Sequence, residues 1–158
     1  MKKSLIAVLV VVVFSMFIAA ASAGPILQFR SAADEPSDGA EKISFVTHHD
    51  GETVTQVLYV QKEVLLDETM LKSAKAGKDP MGRGMINLTF NESGAKKFAQ
   101  VTRENLHKKL AILIDGNVCT VPTIQAEISG GTAVIAGDFS KAEVEDMVKK
   151  LNEAVKKK

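Results

Sequence analysis

Leu110-Ala111-Ile112-Leu113-Ile114-Asp115-Gly116 is the stretch that decides the fold. Five consecutive apolar residues with no polar alternate describe a strand covered on both faces. The Asp-Gly pair that follows predicts a tight hairpin, since its two central positions favour residues that tolerate positive φ. A return strand is expected over residues 117–121. Pro122 ends it, because proline has no N–H to give to a ladder.

Outward from this hairpin the pattern alternates between strand and helix. Residues 85–90 place Ile86, Leu88 and Phe90 on one face and Asn87 and Thr89 on the other, a half-buried strand. Asn91 can cap a helix whose Ala95, Phe98, Ala99, Thr102 and Leu106 form one apolar stripe, opposite Lys96, Lys97, Arg103 and Glu104. His107 is expected at that helix's end, where a cation complements the dipole. Downstream, Gly130-Gly131 predicts a turn and residues 132–136 a strand closed by Gly137. Ser140 and Glu143 have the spacing of a capping box, with Phe139 and Val144 at the staple positions. Val144, Met147, Val148, Leu151 and Val155 then give a second helix its buried stripe.

The earlier part of the chain is less regular. Residues 25–29 and 43–47 read as short strands separated by a polar loop over residues 31–40, and residues 53–60 as a β-branched strand. His48-His49-Asp50-Gly51 reads as the turn between the last two. Over residues 65–75 the spacing of Leu65, Leu66, Met70 and Leu71 predicts one or two helical turns, with Asp67 as N-cap and Gly77 as stop. Residues 77–84 then read as a flexible loop. The class is α+β: a mainly antiparallel sheet with two amphipathic helices packed on one face.

At 158 residues, 46% hydrophobic and 25% charged, the chain has the composition of one ordinary globular domain. The formal charge is +1, and two of the positive charges, Lys2 and Lys3, lie at the extreme N-terminus. A near-neutral body offers no broad basic field, so nucleic acid is not expected as a partner. Lys2 and Lys3 precede an apolar run over residues 5–20, which ends in Ala21-Ser22-Ala23. This is the pattern of a signal peptide over residues 1–23, cut before Gly24, with Ala21 and Ala23 as the small residues the peptidase reads. A retained anchor is the alternative, but the run falls short of the ~20 residues that span a bilayer. The expected location is therefore outside the cytoplasm, in the periplasm or cell envelope. Cys119 is the only cysteine and has no internal disulfide partner, so it reads as a small buried hydrophobe.

Nothing in the sequence assembles a catalytic, cofactor or metal site. His48 and His49 are adjacent, and adjacent side chains of an extended segment point to opposite faces, so they do not share an ion. Asp115 and Asp138 sit in Gly-flanked turns, where Asp serves turn geometry. Phosphate-loop, dinucleotide, nucleophile-elbow and zinc-protease motifs are absent from the sequence. No small-molecule substrate is evident. Lys149, Lys150 and residues 156–158 load the end of the last helix with charge, which complements its dipole and allows at most weak membrane-surface contact.

From Met85 onward the sequence resembles the head of the large periplasmic domain of SecD, a membrane subunit of the bacterial protein-export translocase. The likeness is carried by residues 86–90, by Gly94-Ala95-Lys96-Lys97-Phe98 and Thr102-Arg103-Glu104-Asn105, and by residues 110–116 with Val118, Val121 and Pro122. It closes with residues 128–139, which include Gly130, Gly131 and Gly137. Gly94, Phe98, Thr102, Asn105, Asp115, Gly116, Pro122, Gly130, Gly131 and Gly137 are the matched motif residues, read as structural. His107 stands where the family usually has Gly. The resemblance implies a SecD-head-like domain over residues 42–156, preceded by a short strand and polar loop over residues 24–41. No further apolar run of spanning length follows the leader, so only the head's role is expected. That role would be non-enzymatic contact with unfolded or translocating polypeptide, or with a partner such as the export translocase. The loops over residues 72–83 and 122–131 are the expected contact regions. The alternative is an independent envelope protein that uses the same fold to bind a specific protein or small ligand.

Overall fold

The computed structural model describes residues 24–49 and 52–157. The leader with Ala21 and Ala23, and the Asp50-Gly51 turn, lie outside the described residues. Gly24 is exposed at the start of the described chain.

The strands divide between two antiparallel sheets. In the larger, β2 (Ala40–His49), β3 (Glu52–Gln61), β1 (Leu27–Ala33), β7 (Lys109–Ile114) and β8 (Asn117–Thr120) lie in that order, and the short β4 (Leu66–Asp67) pairs with β1. In the smaller, β6 (Gly84–Phe90) runs between β5 (Leu71–Lys78) and β9 (Thr132–Phe139). Helices α1 (Glu92–Glu104) and α2 (Lys141–Lys156) complete the α+β architecture.

Residues 110–114 behave as their apolar run requires. All five are buried, and successive side chains enter different layers. Leu110, Ile112 and Ile114 join the main core with Leu27 and Phe29 of β1, Ile86, Leu88 and Phe90 of β6, and Val144 and Leu151 of α2. Ala111 and Leu113 join a second cluster on the other face, with Ala32, Leu58 and Val60. The rings of Phe29, Phe90 and Phe98 meet at the centre of the main core, with centroids 4.7 to 6.0 Å apart. Asp115 (φ 54°) and Gly116 (φ 79°) both adopt positive φ, as the two-residue turn demands.

Several expectations need correction. Residues 65–75 do not form helical turns beyond a 3-10 turn at Glu68–Met70, which Asp67 caps by accepting the Thr69 N–H. The chain then runs as β5 through Gly77 to Lys78, so the flexible loop contracts to a tight turn over residues 79–83. His48 and His49 belong to β2, in register with Thr53 and Glu52, rather than to the turn. β1 extends to Ala33, so the first loop is shorter than expected. Gly137 does not close β9, which continues to Phe139. On α1, Val101 and Gly94 are buried while Leu106 is exposed beyond the helix end. His107 lies three residues past Glu104, outside the helix, with φ 62° and its N–H donating to the Ile124 carbonyl. Cys119 is half-buried, and burial pushes its thiol pKa up.

Candidate functional site

Five of the matched motif residues, Phe98, Thr102, Pro122, Gly130 and Gly131, lie in or against the irregular segment 121–131, which crosses from β8 to β9. Pro122 ends the regular strand but not the association with β7. Its carbonyl accepts the Leu110 N–H at 2.9 Å, and the Ile124 N–H donates to the Lys108 carbonyl at 3.0 Å. The segment is thus tied along β7 and then leaves it at Gln125.

Thr102 holds the departing part. It is fully buried; its hydroxyl donates back to the Phe98 carbonyl at 2.9 Å, and its oxygen accepts the Ile128 N–H at 2.9 Å. A side chain that returns its proton to its own helix is common. Here the remaining lone pair fixes a loop 26 residues away. Asn105 finishes α1 in a related way, its amide donating to the Val101 carbonyl. At the other end of the helix, Gly94 lets α1 press onto the 3-10 turn: a Cβ there would lie 2.2 Å from the Met70 carbonyl oxygen.

Between this segment, α1 and β9 lies a groove of about 390 Å³. Its floor is core: Phe98 and Thr102 from α1, and Leu110 and Ile112 from β7. Pro122, Ile124 and Ile128 form one wall and Ala133 and Val134 of β9 the other. Two of its apolar side chains stay in solvent, Ile128 at 40% and Val134 at 53% exposure. The nearest ion pair is peripheral, Arg103 to Glu127 at 4.0 Å. Gly130 and Gly131 turn the chain into β9, and the Gly131 carbonyl accepts the Phe90 N–H at 2.9 Å. An arrangement of this kind can receive apolar side chains in succession. No His, Cys, Lys, Asp or Glu lines it; its polar side chains are Thr102, Thr123 and Gln125.

The other motif residues are distributed elsewhere. Asp115 and Gly116 make the hairpin turn, and Lys150 of α2 reaches the Asp115 carboxylate at 3.1 Å. Together with Asp146, this carboxylate holds the Lys150 ammonium above its usual pKa. Gly137 lies under the Phe139 ring, where a Cβ would meet ring carbons at 2.6 and 2.7 Å.

Of the two expected contact loops, residues 122–131 wall the groove. Residues 72–78 are strand, and the following turn is held by Asp79, whose carboxylate accepts the Met81 and Arg83 N–H groups and the Arg83 guanidinium. No group of three or more His, Cys, Asp or Glu able to hold a metal occurs among the described residues. No helix among them is long and apolar enough to cross a membrane. Sequence reasoning missed Ile128 and Val134 as exposed groove residues. The uncharged run over residues 132–137 was the available signal.

Comparison with known proteins agrees with the resemblance. A family model described as SecDF, P1 head subdomain, matches residues 43–154. The chain is 42% identical over 84 residues to protein translocase subunit SecD of Leptotrichia buccalis, an alignment covering 53% of this chain and 21% of that protein. Against protein translocase subunit SecDF of Thermus thermophilus it is 47% identical over 83 residues, covering 52% of this chain and 11% of the relative. The chain thus matches about a fifth and a tenth of these relatives' lengths. A solved structure of SecDF, described as a membrane component that enhances protein export, superposes with a TM-score of 0.62 at 30% identity, covering 80% of this chain and 61% of that one. SecDF in a super-membrane-facing form gives the same TM-score and covers 18% of that chain.

Proposed function

The chain belongs to the SecDF P1 head subdomain family, and from that premise we propose that it is an exported, non-enzymatic binding module that contacts unfolded or translocating polypeptide. Its relatives are protein translocase subunits, which supports a role related to protein export. The observation that carries the reading is the apolar groove beneath residues 122–128, with Ile128 and Val134 left exposed beside a buried floor. A surface that meets many sequences needs apolar contact without fixed polar partners, and this groove supplies it. The reading also takes residues 1–23 as the export signal, residues 24–41 as a leading strand and loop, and residues 42–156 as the head-like unit. The matched Gly, Pro, Thr and Asn residues shape the fold around the groove rather than touching a client.

A photoreactive amino acid placed at Ile128 in the producing cell tests this. The expected result is crosslinking to many secreted chains and to translocase subunits, with far less from the same group at Met81, which is 81% exposed on the remote turn. Recovery of one unrelated envelope protein from Ile128 would instead establish a dedicated partner and remove the export reading. Equal, indiscriminate capture from both positions would also count against it.

A further inference from the structure

The groove is bordered by a sheet edge, and the four outer strands of the two sheets are treated differently: β8 is only four residues long, which by itself limits pairing. The outer strand β2 carries Glu41 and Lys42. The outer strand β5 carries Lys72, Lys75 and Lys78. It is also plugged: the Asn152 side chain of α2 accepts the Ala74 N–H at 2.9 Å and donates to the Ala74 carbonyl at 2.8 Å, as a neighbouring strand would. Such charges and covers are how natural sheets prevent edge-to-edge association. β9 has neither. Thr132-Ala133-Val134-Ile135-Ala136-Gly137 contains no charge and no proline, and no strand among the described residues pairs with its far side.

The direction of its main-chain groups follows from the register. The Phe90 N–H donates to the Gly131 carbonyl, and this pair continues the β6–β9 register in which Leu88 faces Ala133 and Ile86 faces Ile135. Hydrogen-bonded pairs alternate along an antiparallel ladder, so Ala133 and Ile135 turn their N–H and C=O groups toward β6. Thr132, Val134 and Ala136 turn theirs outward. The same alternation on the other side of β6 turns the Ala74 groups outward, and there Asn152 takes both.

We propose that the outward edge of β9 at Thr132, Val134 and Ala136 accepts an extended polypeptide segment as an additional strand. The reading of the groove as a polypeptide contact is its premise, and it specifies how the contact is made. Only a main chain in extended form matches a row of alternating donors and acceptors. A segment lying there would place every second side chain beside Ala133, over the floor of Phe98, Leu110 and Ile112, and the others beside Val134 on the outer face. The preferred client segment is therefore extended and uncharged, apolar at alternate positions and otherwise indifferent to sequence.

The test uses the full chain and a short labelled peptide of alternating valine and serine with lysine at its ends, followed by fluorescence anisotropy. A twin peptide is methylated on its central main-chain nitrogens, which leaves every side chain in place but removes strand pairing. Val134→Pro removes one outward N–H without touching the β6 ladder, a position where an edge strand tolerates proline. Val134→Thr keeps that N–H, and Ala136→Lys adds an edge charge. The expected result is binding of the plain peptide, weakened at least ~10-fold by methylation, by Val134→Pro and by Ala136→Lys, with Val134→Thr, which loses apolar contact but keeps the N–H, weakening it less than Val134→Pro does. Melting temperatures verify that each variant is folded. If both peptides bind alike and Val134→Pro binds as the parent does, strand addition is wrong and the groove reading survives through side-chain contact. If neither peptide binds the parent, the groove reading fails and the strand proposal with it.

Discussion

His107 holds a backbone conformation that its side chain opposes. At φ 62° its Cβ crowds the following peptide, a cost that glycine does not carry. Asp115 shares the sign of φ but not the situation, because its short polar side chain tolerates the left-handed region and its carboxylate is engaged by Lys150. The exit from α1 needs the conformation regardless: the His107 N–H must reach the Ile124 carbonyl to start the tie between β7 and the groove wall. His107→Gly should therefore raise stability. Relief of the strain is partly offset by extra freedom in the unfolded chain, leaving a net gain of roughly 0.5–1 kcal/mol. Thermal melting should show an upward shift of a few degrees. A fall would mean that the imidazole, which lines a hollow with Tyr59 and Lys109, contributes more than the strain costs.

At the scale of elements, the start of α2 was written plainly in the sequence and the start of β5 was not. Ser140 accepts the Glu143 N–H, while the Glu143 carboxylate accepts the Ser140 N–H and hydroxyl, the reciprocal pair that the spacing predicts. Those bonds to Ser140, side chain first and then main chain, hold Glu143 below its usual pKa. A carboxylate with a depressed folded pKa adds stability that is present above its ordinary pKa and is lost as pH falls through the folded value. Ser140→Ala should cost about 1 kcal/mol near neutral pH. The difference from the parent should shrink in acid, as Glu143 takes up a proton. Urea titrations at neutral and acidic pH measure both, and a pH-independent difference would show that the carboxylate does not take part. β5 was illegible for a specific reason. A bulge between Leu71 and Ser73 interrupts the two-residue alternation, so buried Leu71 and Ala74 fall three residues apart and no strand period shows. Gly137 misled in a similar way, since the Phe139 ring rather than a chain reversal explains the missing side chain. The groove's wall was readable as a Pro- and Gly-bounded segment. Its tether to Thr102 and its open strand edge depend on pairing register and on contacts distant in sequence, which local pattern does not encode.

Across the whole molecule, β1 and β7 serve two layers at once. Their alternate residues fill the main core with both helices on one face and the smaller Leu58, Val60 and Leu113 cluster on the other. The β2–β3 hairpin pairs with β1 only at Val60 and Tyr59, with the Arg30–Glu41 ion pair beside them, so its attachment depends on that second cluster more than on ladder bonds. If the two layers were independent, the hairpin would detach first and the helices would persist. Sharing β1 and β7 argues otherwise, because loss of the second cluster exposes strands that the main core also requires. Leu113→Ala should therefore cost roughly 2–5 kcal/mol, although Leu113 lies in the cluster to which neither helix contributes. Unfolding should also remain one transition. The chain has one tyrosine and no tryptophan, so Tyr59 fluorescence reports the hairpin layer while far-UV circular dichroism reports α1 and α2. Coincident denaturation midpoints for both signals, in the parent and in Leu113→Ala, are the expected outcome. An earlier Tyr59 transition would show that the hairpin is a separate unit, able to open while the groove and its strand edge stay folded.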